Sequence, residues 1–280
     1  MALKVALPNK GSLSEASTAI FRSAGYRQRH DVKDLIFLDP ENEIEFYYLR
    51  PRDIATYVGN GDLDLGITGR DLLLDSGARA IELLDLEFGK SLMRFAAPLE
   101  TGISSIQDLG GKRIATSYPR LVKDYLAARK INTVIVELDG AIESSVKLGV
   151  ADVIADVVAT GSTLRQAGLT PFGEAIVSST GILIAREANE SFDLLVRRLQ
   201  SVVFARQYVL LDYDISKNAL DQACKVTPGF ESPTISPLQK EGWFAVRAMI
   251  PRLHMHRIMD ELYELGARGI LVTEIHSCRL

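Results

Sequence analysis

The residues most suited to chemistry form one run, Asp156-Val157-Val158-Ala159-Thr160-Gly161-Ser162-Thr163-Leu164. An apolar, strand-like stretch (Val153, Ile154, Ala155, Val157, Val158) enters a turn of small and hydroxyl residues that then opens a helix. Backbone N–H groups at a helix start point outward without intrahelical partners, and the helix dipole adds positive potential, so such a turn attracts phosphate. The small side chains at Ala159 and Gly161 let a phosphate approach closely, Thr160, Ser162 and Thr163 offer hydroxyl donors, and Asp156 can accept hydrogen bonds from sugar hydroxyls. The competing reading is that Thr160 and Ser162 only cap a helix. Placement after a buried strand, with an acidic residue within reach, favours phosphate.

Three apolar strands end in basic residues: LKVALPNK at Lys10, IEFYYLR at Arg50 and LGITGR at Arg70. In open α/β sheets, ligands collect beyond the carboxyl ends of the strands, and arginine engages phosphate through two N–H groups at once. Singly, each of these cations is a solvated charge or a partner for Asp53 or Asp71; converging, they suit a polyanion. Glu143 follows a strand ending in Leu138-Asp139-Gly140, and Asp152 and Asp156, four apart on a strand, share a face. These carboxylates suit ribose hydroxyls or a magnesium–diphosphate complex. Capping and turn roles compete, above all for Asp139 and Asp152, and Asp62 and Asp64 read as turn and strand-entry residues.

What is missing narrows the chemistry. Of four histidines only His30 precedes the C-terminal region, and His254 and His256, two apart on a helix, do not face one metal together. No nucleophile elbow, phosphate-binding lysine loop or dinucleotide fingerprint occurs, which leaves positioning and charge stabilisation. Cys224 and Cys278 are too few for a disulfide framework or a cysteine metal site. A net charge of -4 argues against a nucleic-acid binder. The N-terminal apolar run is too short for a signal peptide and no apolar stretch is long enough to span a membrane, so a cytoplasmic location is expected.

The elements that must hold these residues follow from hydrophobic periodicity. Strands are predicted at 3–8, 34–39, 44–49, 63–68 and 81–86, with a helix opened by Ser12-x-x-Glu15 and another by Pro51. The pattern restarts near Ser91: strands at 92–97, 113–117, 133–138 and 152–158, and helices from Pro119 to Arg129 and over 141–148. Alternating strands and helices imply parallel sheets covered on both faces, here as two α/β lobes with a cleft between them. A helix over 190–207 is expected to return to the first lobe. The remainder reads as strand 208–214, helix 217–225, strands 231–237 and 242–250, helix 254–265 and strand 269–275, the βαββαβ order of a ferredoxin-like domain. The expected division is 1–90 plus 182–207, 91–181, and 208–280.

Several segments together resemble the long form of the ATP phosphoribosyltransferase family, which opens histidine biosynthesis: PNKGSLSE (8–15), LRPRDIATYVGNGDLDLGITGRD (49–71), RIATSYP (113–119), LDGAIE (138–143), ADVIADVVATGSTL (151–164), YVLLDYD (208–214) and VTPGFESPTISPL (226–238). The resemblance implies two lobes like those of periplasmic binding proteins and an ACT-like regulatory domain. It implies Mg²⁺-dependent attack of adenine N1 of ATP on the anomeric carbon of phosphoribosyl pyrophosphate, the Mg²⁺ carried with the substrate phosphates. By the same resemblance Lys10 and Arg50 assist the transfer, and Gly11, Asp71 and Tyr118 meet ATP. Glu143, Asp156, Ala159, Thr160, Gly161, Ser162 and Thr163 would hold phosphoribosyl pyrophosphate, the last residues gripping its 5-phosphate. Histidine is implied as a feedback inhibitor at Asp214, Phe230, Ser232, Thr234 and Gly269, in a homo-hexamer built from dimers. Ser12 departs from relatives that carry arginine there. A prephenate dehydratase with an ACT domain or a non-catalytic amino-acid sensor would explain the lobes and the tail. Neither uses the phosphate turn and the strand-end cations.

Overall fold

The computed structural model describes residues 2–158 and 162–279, and at Ser162 and Thr163 the backbone only. The first sheet is built from β1 (Leu3–Pro8), α1 (Ser12–Ser23), β2 (Ile36–Asp39), β3 (Ile44–Leu49), α2 (Pro51–Asn60), β4 (Leu65–Gly69), α3 (Arg70–Ser76) and β5 (Ile81–Asp85). The second follows with β6 (Ser91–Pro98), β7 (Arg113–Thr116), α4 (Pro119–Ala127), β8 (Val134–Glu137), α5 (Ser144–Lys147), β9 (Val153–Val158), α6 (Ser162–Gln166) and β10 (Leu169–Ser179). The chain continues through β11 (Gly181–Ala185), α7 (Asp193–Gln207), β12 (Tyr208–Ser216), α8 (Lys217–Val226), β13 (Thr234–Pro237), β14 (Trp243–Pro251), α9 (Met255–Glu264) and β15 (Arg268–Glu274).

Both large sheets are mixed where the alternation of strands and helices suggested parallel ones. The first has the order β2-β3-β1-β4-β11-β5 and the second β10-β6-β9-β7-β8. β1 is parallel to β3 and β4, but β2 is antiparallel to β3. Only a tight turn, with Glu43 at φ 53°, separates β2 from β3, too little chain for a crossover. β11 runs antiparallel between β4 and β5, and β10 antiparallel along β6. These two returning strands carry the chain from the second sheet back to the first.

Residue alternation divides each strand between two faces. In the second sheet Met93, Phe95, Val153 and Ala155 fill one core with Ile114 and Val122, while Ala96 and Ile154 face the opposite way with Ile142 and Leu164. In the first, Ile54, Ala55 and Val58 of α2 pack on Ala6, Ile182 and Ile184, each large side chain contributing roughly 1.5–3 kcal/mol. Pro51 opens α2, and Gly61 ends it in the left-handed conformation, its N–H reaching the carbonyls of Tyr57 and Val58.

The chain divides into two compact units, Met1–Arg22 with Tyr26–Asp193, and Leu194–Leu280 with Ser23–Gly25. Residues 194–207 therefore group with the tail rather than with the first lobe as expected. Within that unit Phe204 stacks on Tyr208 and meets Phe230 edge-on, and the Ser201 carbonyl accepts from the Cys278 N–H. The tail itself has the expected βαββαβ order, its four strands arranged β13-β14-β12-β15 and all antiparallel. Alternate residues of β12 (Val209, Leu211, Tyr213, Ile215) pack on Ala223 of α8 and Ile258 and Leu262 of α9.

Candidate active site

A cavity of about 350 Å³ opens beyond the carboxyl ends of β1 and β4. Lys10, Gly11, Pro51, Gly69, Asp71, Leu72 and Thr180 reach it from the first sheet, and Ser91, Tyr118, Val157 and Ser179 from the second. Two adjacent crossings join the sheets here. The Thr180 hydroxyl and the Gly181 N–H both donate to the Phe88 carbonyl at 2.8 Å, and the Leu86 N–H donates to the Gly181 carbonyl at 2.9 Å. A Cβ on Gly181 would lie 2.5 Å from the Phe88 ring, so the crossing requires glycine.

Asp71 is the most constrained acid of the site. It is buried at the first turn of α3, where the helix dipole favours a carboxylate. Its Oδ1 accepts from the Ser179 hydroxyl at 2.7 Å and from the Leu72 N–H at 2.9 Å, while its own N–H donates to Ser179 Oγ at 3.0 Å. Gly69 lies so close that a Cβ there would stand 2.3 Å from Asp71 Oδ1. Tyr118 lines the same cavity, and its hydroxyl lies in the field of Asp71. Burial first, and then the neighbouring Asp71 charge, push the Tyr118 hydroxyl well above its ordinary pKa, so it remains a donor at any physiological pH.

Tyr118 is itself held by a residue that the sequence did not mark. The Arg52 guanidinium lies 5.1 Å from the centre of its ring, donates to Asp75 Oδ2 at 2.9 Å, and donates to the Ser117 carbonyl at 2.7 Å. Asp75 also accepts from the Leu121 N–H at the start of α4. Arg52 and Asp75 thus tie α2 and α3 of the first sheet to α4 of the second.

At the end of β9, Asp156 accepts from the Val157 N–H at 2.7 Å. Burial, with smaller contributions from the charges of Glu143 and Asp71, raises its pKa above the usual carboxylate value. Glu143 stands half-buried at the start of α5. Asp156 thus feels both other carboxylates, which favours a cation or hydrogen-bond donors near it. Lys10 faces the cavity and makes no ion pair among the described residues. No histidine or cysteine is among the described residues of the lining. The site can bind, orient and stabilise charge, and among its described residues there is no histidine to activate a nucleophile.

The structure brings Lys10, Gly11, Asp71 and Tyr118 to one cavity, with Asp156 and Glu143 coupled to them electrostatically. Arg50 does not line it; the side chain is exposed at the start of α2, next to Pro51, which does. Ala159, Thr160 and Gly161 lie outside the described residues, as do the side chains of Ser162 and Thr163, whose backbone begins α6. Arg70, expected among the converging cations, turns to Glu82 at 2.7 Å and Asp85 at 2.9 Å instead, and those bonds hold its proton more tightly than usual. Asp152 pairs with Arg113 at 2.7 Å and also accepts from its N–H, so its role is structural. Ser179 went unrecognised because it lies 108 residues from Asp71 and carries no motif.

Asp214, Phe230, Ser232, Thr234 and Gly269 all belong to the second compact unit. A Cβ on Gly269, which has φ 59°, would lie in ordinary contact with Asp214 Oδ2, 3.7 Å away. Thr234 lies on the edge strand β13, across from Arg247, whose guanidinium donates to Asp212 at 2.6 Å. Phe230 is exposed beside Phe204.

Comparison with known proteins gives consistent results. The model of the family described as ATP phosphoribosyltransferase matches residues 50–203, and that described as HisG, C-terminal domain, matches 205–277. The ATP phosphoribosyltransferase of Arthrobacter sp. (strain FB24) is 57% identical, with 99% of this chain and 100% of the relative covered. That of Salinispora tropica is also 57% identical, over 99% of this chain and 100% of its own. Among solved structures, the ATP phosphoribosyl transferase (HisG:HisZ) complex from Thermotoga maritima is similar at a TM-score of 0.62 and 26% identity, covering 72% of this chain and 98% of that one.

Proposed function

The chain belongs to the ATP phosphoribosyltransferase family in its long form, and we propose that the cavity between its two large sheets is where the family's reaction takes place. The enzyme transfers the phosphoribosyl group of phosphoribosyl pyrophosphate to ATP, the first step of histidine biosynthesis. The observation that carries the siting is the convergence of Lys10, Gly11, Asp71 and Tyr118 beyond the carboxyl ends of β1 and β4, with Asp156 and Glu143 in the same field.

In this reading Gly11, Asp71 and Tyr118 receive ATP, the protonated Tyr118 offering a donor and the Asp71 carboxylate, held by Ser179, an acceptor toward the nucleotide. Glu143 and Asp156 accept from the ribose hydroxyls of phosphoribosyl pyrophosphate, and residues 159–163 take its 5-phosphate. Adenine N1 brings its own lone pair to the anomeric carbon as the bond from that carbon to the diphosphate oxygen breaks, so no protein nucleophile is required. Lys10, with Arg50 from the start of α2, offsets the charge that grows on the departing diphosphate. Mg²⁺ enters with the substrate phosphates. The field of Asp71, Glu143 and Asp156 suits a cation carried in this way, and among the described residues no cluster of three acidic, histidine or cysteine side chains forms a dedicated metal cage.

The reading extends to the tail as an ACT-like domain in which Asp214, Phe230, Ser232, Thr234 and Gly269 receive histidine as inhibitor. Assembly of dimers into a hexamer belongs to the same reading, and the unpaired edge strands β13 and β15, with Ile235 and Leu271 exposed, are open to further pairing. The test is formation of N1-phosphoribosyl-ATP from ATP, phosphoribosyl pyrophosphate and Mg²⁺, with pyrophosphatase present, with and without histidine. Product suppressed by histidine is expected. Loss of neither ATP affinity nor phosphoribosyl pyrophosphate affinity on replacing Asp71 or Asp156 would remove the cavity from the reaction.

A further inference from the structure

Most arginines of the two large sheets and their helices that the sequence or the site singles out are engaged, the exposed Arg50 apart. Arg52 holds Asp75 and the Ser117 carbonyl, Arg70 holds Glu82 and Asp85, and Arg113 holds Asp152. Arg94, in the middle of β6, makes no ion pair among the described residues, and its Nε is buried with no hydrogen-bond partner. A guanidinium offers five N–H donors and no acceptor, and leaving one buried donor unbonded is costly. Such groups are rare in native proteins and call for a partner.

The strand register shows where that partner would come from. Met93 and Phe95 point into one core of the second sheet, so Arg94 projects from the other face, the one that carries Ala96, Ile154 and Leu164. β6 and β9 are antiparallel with Arg94 directly opposite Asp156, and residues so paired place their Cβ atoms about 5 Å apart on one face. Asp156 nevertheless takes its hydrogen bond from the Val157 N–H and not from Arg94. An acid and an arginine therefore occupy paired positions on one face of the sheet, the arginine with a buried donor unbonded.

We propose that Arg94 binds a phosphate of the phosphoribosyl donor, from the same sheet face on which Asp156 meets the ribose. The inference rests on the siting of the reaction given above. The planar fork of arginine suits two phosphate oxygens at once, and Asp156 beside it sets the spacing between the sugar hydroxyls and the phosphate. Arg94 acts on binding of this one substrate and not on ATP.

Steady-state kinetics of Arg94→Met, Arg94→Gln and Arg94→Lys, with each substrate varied at saturating levels of the other, test this. The Met and Gln variants should raise KM for phosphoribosyl pyrophosphate about tenfold to a hundredfold, with KM for ATP within about twofold and no loss of melting temperature. The Lys variant should recover part of the loss, because it keeps the charge without the fork. Calorimetric titration of phosphoribosyl pyrophosphate into each variant without ATP should show the same order. Folded Met and Gln variants with wild-type KM for phosphoribosyl pyrophosphate would overturn the proposal. So would equal rises in both KM values together with a lowered melting temperature, the signature of a packing role. An Asp156→Asn variant with wild-type product formation would instead overturn the siting on which the inference rests.

Discussion

Replacing Gly69 with alanine tests how tightly the site depends on the placement of Asp71. The backbone at Gly69 is ordinary extended chain (φ -81°, ψ 144°), so alanine brings no conformational strain of its own. The added Cβ would lie 2.3 Å from Asp71 Oδ1, where ordinary contact begins at 3.4 Å, so the carboxylate must retreat by about 1.1 Å. That movement stretches the 2.7 Å bond from Ser179 and the 2.9 Å bond from the Leu72 N–H beyond hydrogen-bonding range. A displacement of this size at a substrate-orienting group costs about 100-fold in rate, and the crowding costs about 1–3 kcal/mol of stability. The assay is N1-phosphoribosyl-ATP formation with pyrophosphatase, read as kcat/KM for ATP, beside a thermal melt. Gly110→Ala serves as control, since its Cβ position has nothing within 4 Å and its φ is not positive. A Gly69→Ala enzyme with kcat/KM within about twofold of wild type would refute the reasoning, because Asp71 would then be free to move without consequence.

Three further outcomes are expected. Asp156 has a raised pKa in the folded protein, so the native state holds its proton more tightly than the unfolded chain and stability falls as pH rises from the ordinary carboxylate value through the raised one; Asp156→Asn should melt higher than wild type at neutral pH, by a margin that shrinks as pH falls through that window, while kcat/KM for phosphoribosyl pyrophosphate drops about tenfold or more. A margin that does not change with pH would contradict the electrostatic origin. Arg52→Ala strips the buried Asp75 of its cation and should cost about 1–2 kcal/mol in denaturant unfolding, less than a fully buried pair because Arg52 is 47% exposed and the Leu121 N–H remains on Asp75; unfolding at the wild-type midpoint would show that the link between the sheets carries no stability. In the proposed effector site, the double variant Ser232→Ala, Thr234→Ala should raise the histidine concentration for half-inhibition about tenfold and leave uninhibited turnover unchanged, whereas undiminished sensitivity would move the effector elsewhere.

Much of the architecture is local in origin and could be read directly. The apolar run of β9, the Pro51 and Pro119 starts of α2 and α4, and the strand-helix order of the tail depend on periodicity and capping, which neighbouring residues encode. Lys10 could be assigned to the mouth of the cavity because a residue just past a buried parallel strand lies at the sheet's carboxyl edge. The strands β10 and β11 went unseen. β10 contains Pro171 and Gly173 and shifts register between Phe172 and Val177, so its pairing with β6 imposes a shape that its own pattern does not announce.

The fate of individual polar side chains shows the limit most clearly. Arg70 and Arg94 are the same residue type on strands or strand ends around one cleft, yet Arg70 is neutralised by Glu82 and Asp85, and Arg94 is left with a buried donor unbonded. Asp71 owes its geometry to Ser179, 108 residues away, and Tyr118 meets Arg52 of α2, which packs on the other sheet. The sequence by itself determined the elements, the order of the tail and the residue types at the strand ends, because periodicity and caps act over a few residues. The tertiary structure alone decided which charges are satisfied, which face an open cavity and which two sheets meet, because a hydrogen bond or ion pair is set by distance in space and not by separation along the chain.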